Sequence, residues 1–373
     1  MFKKYLNSYL VVILCIIITN CSTPQRPIKI YKATITGLGS SFSLPLSSLL
    51  FKKFTKESNI NISYTAENSY TGIDAIINQE VDFALSMAAL TDQQLKENPD
   101  ILHIPIAAAS INFAYNIPEK GFSIFDDPVY LTPELLVQIL NKEIIKWNDP
   151  KIVALNTKFS TDKTRVFPDL SITFIQRSTN SADTALFTKF LTKATPTWKQ
   201  GNINKFKMID NTLERLTSLE MMQLLSQTPG ALTYTTMIYG TQNNIPLIRI
   251  NNYLGTYGRG CNFRTLESMK VAETNNDNRV DLTYPHRGKE AAVATGFAYI
   301  IVKKEQNYNN RTKEQAQVTV NFINWLLSPS AQKELEPIFF ATLTPKFRNA
   351  AKKKLTELTY NEEPLIVETI LKK

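Results

Sequence analysis

Short apolar segments alternate with segments of helical periodicity along most of this 373-residue chain. The run "INISYTAE" predicts a strand, and "SYTGIDAIINQE" predicts a helix with Ile73, Ile76 and Ile77 on its inner face. The run "VDFALSM" predicts the next strand. Alternation of this kind is typical of α/β proteins with mostly parallel sheets. The chain length favours two lobes over one, because a single core rarely serves so many residues.

Two further segments extend this pattern. "KATITG" predicts a strand, and "PLSSLLFKKFTKES" predicts a helix with Pro45 in its first turn. Its predicted inner face carries Leu46, Leu49, Leu50 and Phe54. The apolar run from Ile104 to Tyr115 predicts one long strand. The "GLGSSF" segment between the first strand and the first helix is interpreted as a turn.

Residues 1–21 predict an export signal rather than part of the fold. Two lysines precede an apolar run, Tyr9–Thr19, that is too short to span a bilayer comfortably. The run ends in "IITNC", which resembles a bacterial lipoprotein signal with Cys21 as the lipidated residue, although Asn20 departs from the usual small residue. The alternative is a secreted soluble protein in which Cys21 is an incidental thiol. Residues 22–32 are interpreted as a tether.

Composition excludes several classes of function. The net charge of +9 comes from scattered basic residues, which disfavours nucleic-acid binding but suits an anionic ligand or a membrane surface. Beyond the signal segment the chain has one cysteine, Cys261, and two histidines, His103 and His286, so neither a disulfide nor a zinc site is predicted. We expect no metal and no cofactor. "GLGSSF" matches neither a nucleophile elbow nor a dinucleotide fingerprint, and no enzyme activity is predicted.

Three predicted strand-to-helix joins share small hydroxylated residues: "GLGSSFSLP", "AENSYTGID" and "QRSTNSADT". The first N–H groups of a helix lack helical partners and carry the positive end of the helix dipole, so such joins suit an anion. Arg177 follows its strand directly, and its planar guanidinium can hold two oxygens of one tetrahedral group. The simpler interpretation is that Ser43, Ser69 and Ser181 are ordinary helix N-caps.

The order of these segments resembles PstS, the phosphate-binding protein family of bacterial ABC importers. The resemblance covers roughly residues 33–355 and is carried by "ITGLGSSFSLPL", "YTAENSYTGIDAI", "VDFALSMAALTDQQL", "SITFIQRSTNSADTALFTKFL", "PGALTYTTMIYGTQNNIPL" and "VNFINWLLSPSAQKEL". It implies a two-lobed periplasmic-binding-protein fold, of the Venus-flytrap type II kind, with the ligand between the lobes. Lobe 1 would comprise residues 33–108 and 284–373, and lobe 2 residues 109–283.

The resemblance also implies a set of ligand residues. Lobe 1 would bind phosphate through Ser41, Phe42 and Ser69. Lobe 2 would add Arg177, Ser181 and the backbone donors that follow it. The phosphate-binding set expected from the resemblance is therefore Ser41, Phe42, Ser69, Arg177, Ser181, Ala182 and Asp183.

The chain departs from the family at three places. Met87 replaces an aspartate that accepts the proton of bound phosphate, and a thioether is a poor acceptor. Asp183 stands in a serine-glycine-threonine run, where a carboxylate would repel an anion. Two alternatives follow: Asp183 points away and only complements its helix N-terminus, or it replaces the lost acceptor. "IDNTLERL", residues 209–216, lacks the glycines usual there.

The resemblance implies an exported, membrane-anchored lipoprotein that captures inorganic phosphate and delivers it to an ABC permease and its ATPase. The expected partners are phosphate or a related oxyanion, the permease complex, and the membrane through an N-terminal lipid. The alternative function is that of a diverged relative that binds another oxyanion or none and contacts other proteins at the cell surface.

Overall fold

The computed structural model describes residues 31–124, 126–207 and 212–368. The predicted signal segment 1–21, Cys21, most of the tether and residues 209–211 lie outside this part of the chain. Its strands are β1 (Ile35–Ser40), β2 (Ile62–Glu67), β3 (Phe83–Ser86), β4 (Ile101–Ser110), β5 (Asn112–Tyr115), β6 (Tyr130–Leu131), β7 (Thr173–Arg177), β8 (Thr212–Arg215), β9 (Ala231–Thr235), β10 (Arg249–Asn251), β11 (Tyr257–Gly258), β12 (Thr295–Lys303), β13 (Thr359–Tyr360) and β14 (Glu363–Pro364).

The helices lie between these strands and cover the sheets. They are α1 (Leu44–Ser58), α2 (Ser69–Ile77), α3 (Asp92–Glu97), α4 (Pro133–Leu140), α5 (Pro150–Phe159), α6 (Ala182–Ala194), α7 (Ser218–Gln227), α8 (Met237–Gln242), α9 (Asn262–Lys270), α10 (Lys313–Leu326), α11 (Pro329–Lys333) and α12 (Pro345–Leu355), with a 3₁₀ turn at Glu336–Ile338. In the described ranges, none of these helices is long and apolar enough to cross a membrane.

The larger sheet has five strands in the order β2-β1-β3-β12-β4. Strand β1 runs parallel to β2 and β3, whereas β12 runs antiparallel to both β3 and β4. The α/β class is confirmed, and so is the expectation of mostly parallel sheets, because four of these five strands run in one direction. The exception is β12, which returns from late in the chain and enters the sheet in the opposite direction.

A second sheet of four strands has the order β5-β9-β7-β8, with β7 parallel to its two neighbours and β5 antiparallel to β9. The expected single strand from Ile104 to Tyr115 is wrong: β4 ends in the five-stranded sheet, and β5 begins in the four-stranded sheet after Ile111. The buried side chain of Asn112 fixes this crossing by two hydrogen bonds of 2.8 and 2.9 Å to the backbone of Gly260. Two sheets form two lobes; the boundaries predicted at residues 108/109 and 283/284 stay a prediction.

Glycines allow the site-bearing elements to approach one another. Gly37 to Ser40 lie in β1 and not in the predicted turn, which is confined to the residues just before α1. Gly39 has φ +152°, and a Cβ there would lie 2.0 Å from the carbonyl oxygen of Leu85. A Cβ on Gly72 would lie 2.6 Å from the carbonyl oxygen of Leu38, so α2 packs directly on β1. The first turn of α2 therefore lies at the end of β1.

Candidate functional site

The ends of the two sheets meet at the predicted joins. The Ser41 N–H donates to the carbonyl oxygen of Glu67 at 3.2 Å within the first lobe. The guanidinium of Arg177, from the second lobe, reaches the same carbonyl oxygen at 3.5 Å. The hydroxyl of Tyr239 in α8 donates to the carbonyl oxygen of Ser41 at 3.5 Å. The ends of β1, β2 and β7 and helix α8, which are far apart in the chain, thus form one buried site.

Arg177 supplies the positive charge of this site. It is the last residue of β7 and only 2% exposed. Its Nη1 donates to both carboxylate oxygens of Asp183 at 3.1 and 3.3 Å and lies 3.4 Å from the hydroxyl oxygen of Ser218. The Nε has no hydrogen-bond partner among the described residues. A buried guanidinium with a free donor can still bind an acceptor.

The carboxylate of Asp183 turns toward Arg177 and Ser218 of its own lobe. Its Oδ2 accepts hydrogen bonds from Arg177 and from the Ser218 hydroxyl, both at 3.1 Å. Asp183 therefore does more than complement its helix N-terminus, because its carboxylate is also paired with a guanidinium. The alternative in which Asp183 accepts a ligand proton stays a prediction.

Three tyrosines lie close enough to Asp183 for its charge to act on their hydroxyls. Burial raises the pKa of the hydroxyls of Tyr70, Tyr234 and Tyr239, in the last case to about 12, and the charge of Asp183 raises each pKa further. Tyr70 belongs to α2, and the other two belong to the second lobe. The field of Asp183 therefore acts across the lobe interface, where these hydroxyls remain neutral donors at physiological pH.

Several buried hydroxyls at these joins have no hydrogen-bond partner within the described ranges. Buried polar groups normally have partners, so a local group of exceptions indicates a site for a polar ligand. They come from the ends of β1, β7 and β9 and from the starts of the helices that follow, and they are Ser41, Ser43, Ser178, Thr235 and Thr236. Hydroxyls and one guanidinium nitrogen are the donors that an oxyanion requires.

Ser69 is held with its proton available for donation. The Met87 N–H donates to the Ser69 hydroxyl oxygen at 3.0 Å. Ser69 is the first residue of α2 and is not its N-cap, which is Asn68. The Met87 side chain is buried, and its terminal methyl lies 3.8 Å from the position a Cβ would take on Gly296. Met87 thus contributes apolar surface instead of an acceptor.

Ser181 and Ser43 differ in how they meet their helices. The hydroxyl of Ser181 accepts from the Thr184 N–H at 3.2 Å, as an N-cap does, and lies 2.7 Å from the Thr184 hydroxyl. Ser43 occupies the N-cap position of α1 but makes no side-chain capping bond. Phe42 and Ala182 are buried beside these residues. The N-cap interpretation is therefore correct for Ser181 and wrong for Ser69.

The sequence reasoning missed Ser218, which bonds Asp183, and the three tyrosines. The segment "LTSLE" carries a signal that could have found Ser218: Thr217 and Glu220 form a capping box at the start of α7. It is a fourth strand-to-helix join with small hydroxylated residues. No local pattern marks the tyrosines, because they lie on three separate elements.

Other candidates from the sequence lie elsewhere. Cys261 is a free thiol at the N-cap of α9. His103 is buried in β4, and burial together with the charge of Arg279 lowers its pKa to about 4. His286 is exposed and stacks on Tyr253. In the part of the chain that is described, no cluster of acidic, histidine or cysteine side chains could hold a metal ion.

A model of the PBP superfamily domain matches residues 29–330. The chain belongs to the PBP superfamily. Among curated relatives, the phosphate-binding protein PstS of Haemophilus influenzae is 25% identical over 298 residues, covering 79% of this chain and 84% of the relative. These matches confirm the resemblance to PstS. They also confirm that the chain is a binding protein and not an enzyme.

Solved structures confirm the two-lobed binding-protein fold. A high-affinity periplasmic phosphate-binding protein, PfluDING, matches with a TM-score of 0.67 at 16% identity, covering 86% of this chain and 93% of that one. A phosphate-binding protein from Stenotrophomonas maltophilia matches with a TM-score of 0.66 at 15% identity, covering 86% and 94%. At such identities the likeness concerns the fold alone.

Proposed function

We propose that this protein is a substrate-binding protein for inorganic phosphate. The observation that carries the proposal is the group of buried, unpartnered hydroxyls beside a buried guanidinium where the two sheets meet. Such donors suit an oxyanion that is held by dipoles with little net positive charge. The relatives named as phosphate-binding proteins support phosphate as the oxyanion.

Each lobe contributes one half of the proposed site. Lobe 1, residues 33–108 and 284–373, contributes the Ser41 hydroxyl, the Phe42 backbone and the Ser69 hydroxyl. Lobe 2, residues 109–283, contributes Arg177, Ser181 and the first-turn backbone of α6 at Ala182 and Asp183. The lobes close on the anion and bury it, so binding includes a change in lobe orientation.

Capture is followed by delivery in this proposal. The protein is exported and anchored through lipid on Cys21, and its closed form is recognised by an ABC permease with its ATPase. A Cys21→Ala variant should move from the membrane fraction to the soluble extracytoplasmic fraction. Unchanged membrane association of that variant would contradict the anchor but not the binding function.

The binding function is tested by calorimetric titration of anion-stripped protein with phosphate. We expect micromolar or tighter binding, weakened about a hundredfold in Arg177→Gln. Arg215→Gln is the matched control, because Arg215 ends the neighbouring strand β8 in register with Arg177 but is exposed. Absence of phosphate binding to the unmodified protein would overturn the proposal. If both variants lost phosphate affinity equally, Arg177 would not be a specific ligand residue of the site.

A further inference from the structure

We infer that the free edge of β2 binds an extended, acidic segment of another protein as an added strand of the five-stranded sheet. Strand β2 (Ile62–Glu67) is an edge strand of that sheet and pairs with β1 alone. Its outer edge and the lysines beside it take no part in the proposed phosphate site. This second binding function therefore does not depend on phosphate binding.

The first step concerns the backbone of β2. The Ile35 N–H donates to the carbonyl oxygen of Asn61, and the Ser41 N–H donates to that of Glu67, both at 3.2 Å. Because backbone groups alternate in direction along a strand, the odd-numbered residues of β2 face β1 and the even-numbered residues face outward. The outward-facing residues are Ile62, Tyr64 and Ala66. Within the described ranges no strand covers them, and such a row of donors and acceptors is a template for a further strand.

A groove beside this edge can hold side chains of the bound segment. The groove lies between α1 and β2 and has a volume of about 440 Å³. Its floor is apolar: Phe51 is buried, and its ring meets the ring of Tyr64 edge to face at a centroid distance of 5.3 Å. Leu44 and Ile62 line the same groove. An added strand gains affinity from its backbone bonds and specificity from alternate side chains that enter such a groove.

The charges at the rim of the groove indicate which side chains the segment carries. Lys52 and Lys56 of α1 line the groove, are exposed and lie four residues apart. In the part of the chain that the structure describes, neither has an ion-pair partner, whereas Lys53 between them pairs with Glu57 and Glu334. Like charges at this spacing destabilise a helix, and acidic side chains on a bound segment would offset their repulsion.

Charge also distinguishes this occupant from segments of the protein itself. Residues 1–30 and 369–373, the termini outside the described ranges, contain lysine but no aspartate or glutamate. A second copy paired through β2 would place two α1 helices side by side, with Lys52 and Lys56 of both copies at their contact. Four unneutralised positive charges would repel one another there. An acidic segment of a different protein complements the groove, and these alternatives do not.

The test uses two fluorescein-labelled peptides of opposite charge. The acidic peptide is Glu-Thr-Leu-Thr-Val-Thr-Glu-amide, which presents both glutamates and both apolar side chains on one face in either strand direction. The basic peptide has lysine in place of each glutamate. By fluorescence anisotropy, the acidic peptide should bind the unmodified protein at least about tenfold more tightly, as expected for two charge pairs at a surface. Binding should also slow the amide hydrogen exchange of residues 62–66.

Two results with the unmodified protein would overturn the inference. One is absence of binding of the acidic peptide at a concentration of about 1 mM. The other is equal affinity for the two peptides, which would remove the role of the lysines.

A charge-reversed variant assigns the preference to the lysines of the groove. The double variant Lys52→Glu, Lys56→Glu should bind the basic peptide at least about tenfold more tightly than the acidic one. The matched control is Lys352→Glu, Lys353→Glu, which changes the net charge equally on exposed positions of α12 and should keep the original preference. An unchanged preference in the groove variant, or an equal change in the control, would overturn the inference.

A backbone variant assigns the binding to the edge of β2. Ala66→Pro removes one outward N–H at a position where an edge strand tolerates proline, and affinity for the acidic peptide should fall by about tenfold or more. Unchanged affinity in the folded variant would contradict strand addition. If Ala66→Pro does not fold, the hydrogen-exchange measurement decides. Sedimentation equilibrium tests the competing occupant: a dimer of the unmodified protein that Ala66→Pro dissociates would assign the edge to a second copy and overturn the inference.

Discussion

Each lobe of this protein contains a buried arginine–aspartate pair, and the two pairs differ in how completely they are hydrogen-bonded. In the first lobe, Arg311 contacts Asp82 through Nε, and its other nitrogens contact Gln306, Thr319 and the backbone of Gln315. Asp82 also accepts from the N–H and hydroxyl of Thr36 at 2.6 and 3.1 Å. Every nitrogen of the Arg311 guanidinium has a partner.

In the second lobe, by contrast, the Arg177–Asp183 pair does not use all of its hydrogen-bonding capacity. Arg177 makes bonds of 3.1 to 3.5 Å, its Nε has no partner in the described chain, and unpartnered hydroxyls lie beside it. Burial and residue type are the same in both pairs, so neither property separates a structural ion pair from a binding site. Hydrogen-bond saturation separates them: the saturated pair stabilises the lobe, and the unsaturated pair has capacity left for a ligand.

The largest expected effect comes from breaking the saturated pair. Arg311→Gln leaves the buried carboxylate of Asp82 without its guanidinium, which should lower the free energy of unfolding by about 3–5 kcal/mol. Urea unfolding followed by circular dichroism measures this loss. The folded fraction should keep its phosphate affinity. A large loss of affinity at full folding would contradict the assignment of this pair to stability.

Removing the arginine of the second-lobe pair should weaken phosphate binding more than it weakens folding. Arg177→Gln should lower phosphate affinity by about a hundredfold, as expected for loss of charge-assisted hydrogen bonds. Its unfolding free energy should fall less than that of Arg311→Gln, because the hydrogen bonds of the Arg177 guanidinium, at 3.1 to 3.5 Å, are longer. Calorimetry and urea unfolding on the same sample measure both. A larger loss of unfolding free energy in Arg177→Gln than in Arg311→Gln would contradict this difference between the two pairs.

Between pH 7 and pH 5, His103 in the first lobe should make the protein sensitive to acid. Burial, with the charge of Arg279, lowers the pKa of His103 to about 4, against about 6.5 in the unfolded chain. The unfolded state therefore binds the proton first as the pH falls, and stability present above pH 6.5 is lost toward pH 4. At pH 5 the loss is about 2 kcal/mol.

His103→Gln tests this acid sensitivity. A glutamine can keep the acceptor for the Leu90 N–H, which His103 Nε2 binds at 3.1 Å. The unfolding free energy of the variant, measured by urea unfolding at pH 7 and at pH 5, should change less between the two pH values than that of the unmodified protein. An equal change in both proteins would assign the acid sensitivity to other groups.

The smallest effects compare single hydroxyls. Thr319→Ala removes a hydroxyl bonded to Arg311 and to the carbonyl oxygen of Gln315, and should cost about 1 kcal/mol of unfolding free energy. Ser41→Ala removes an unpartnered hydroxyl, so stability should not fall, while phosphate affinity should drop about tenfold. Affinity unchanged in Ser41→Ala would remove this hydroxyl from the proposed ligand set.

The sequence predicted the elements and their mostly parallel direction better than it predicted the breaks between them. The helical period of α1 predicted its buried residues Leu46, Leu50 and Phe54, because a packed face leaves a periodic apolar signal. Leu49, predicted on the same face, is only half-buried. The break at Ile111 could not be predicted, since β4 and β5 are both fully buried and their apolar runs join without a polar interruption. The one reversed strand in each of the two main sheets, β12 and β5, left no local signal either.

The parts of the candidate site that lie next to one another in the sequence were predictable. Hydroxylated residues after strands located the joins, and Arg177 followed its strand at one of them. The orientation of Asp183 was not predictable, because it depends on Arg177 and on Ser218, 35 positions later in the chain. The tyrosines around it come from α2, β9 and α8, and only the tertiary fold brings these elements together.

A crystal structure of the protein with bound phosphate tests the central claim most directly. The account predicts a phosphate between the two sheets, with oxygens within hydrogen-bond distance of the Arg177 guanidinium and of the Ser41 and Ser69 hydroxyls. The Arg311–Asp82 pair should keep all its present partners. Phosphate bound elsewhere, with the hydroxyls beside Arg177 still unpartnered, would contradict the account.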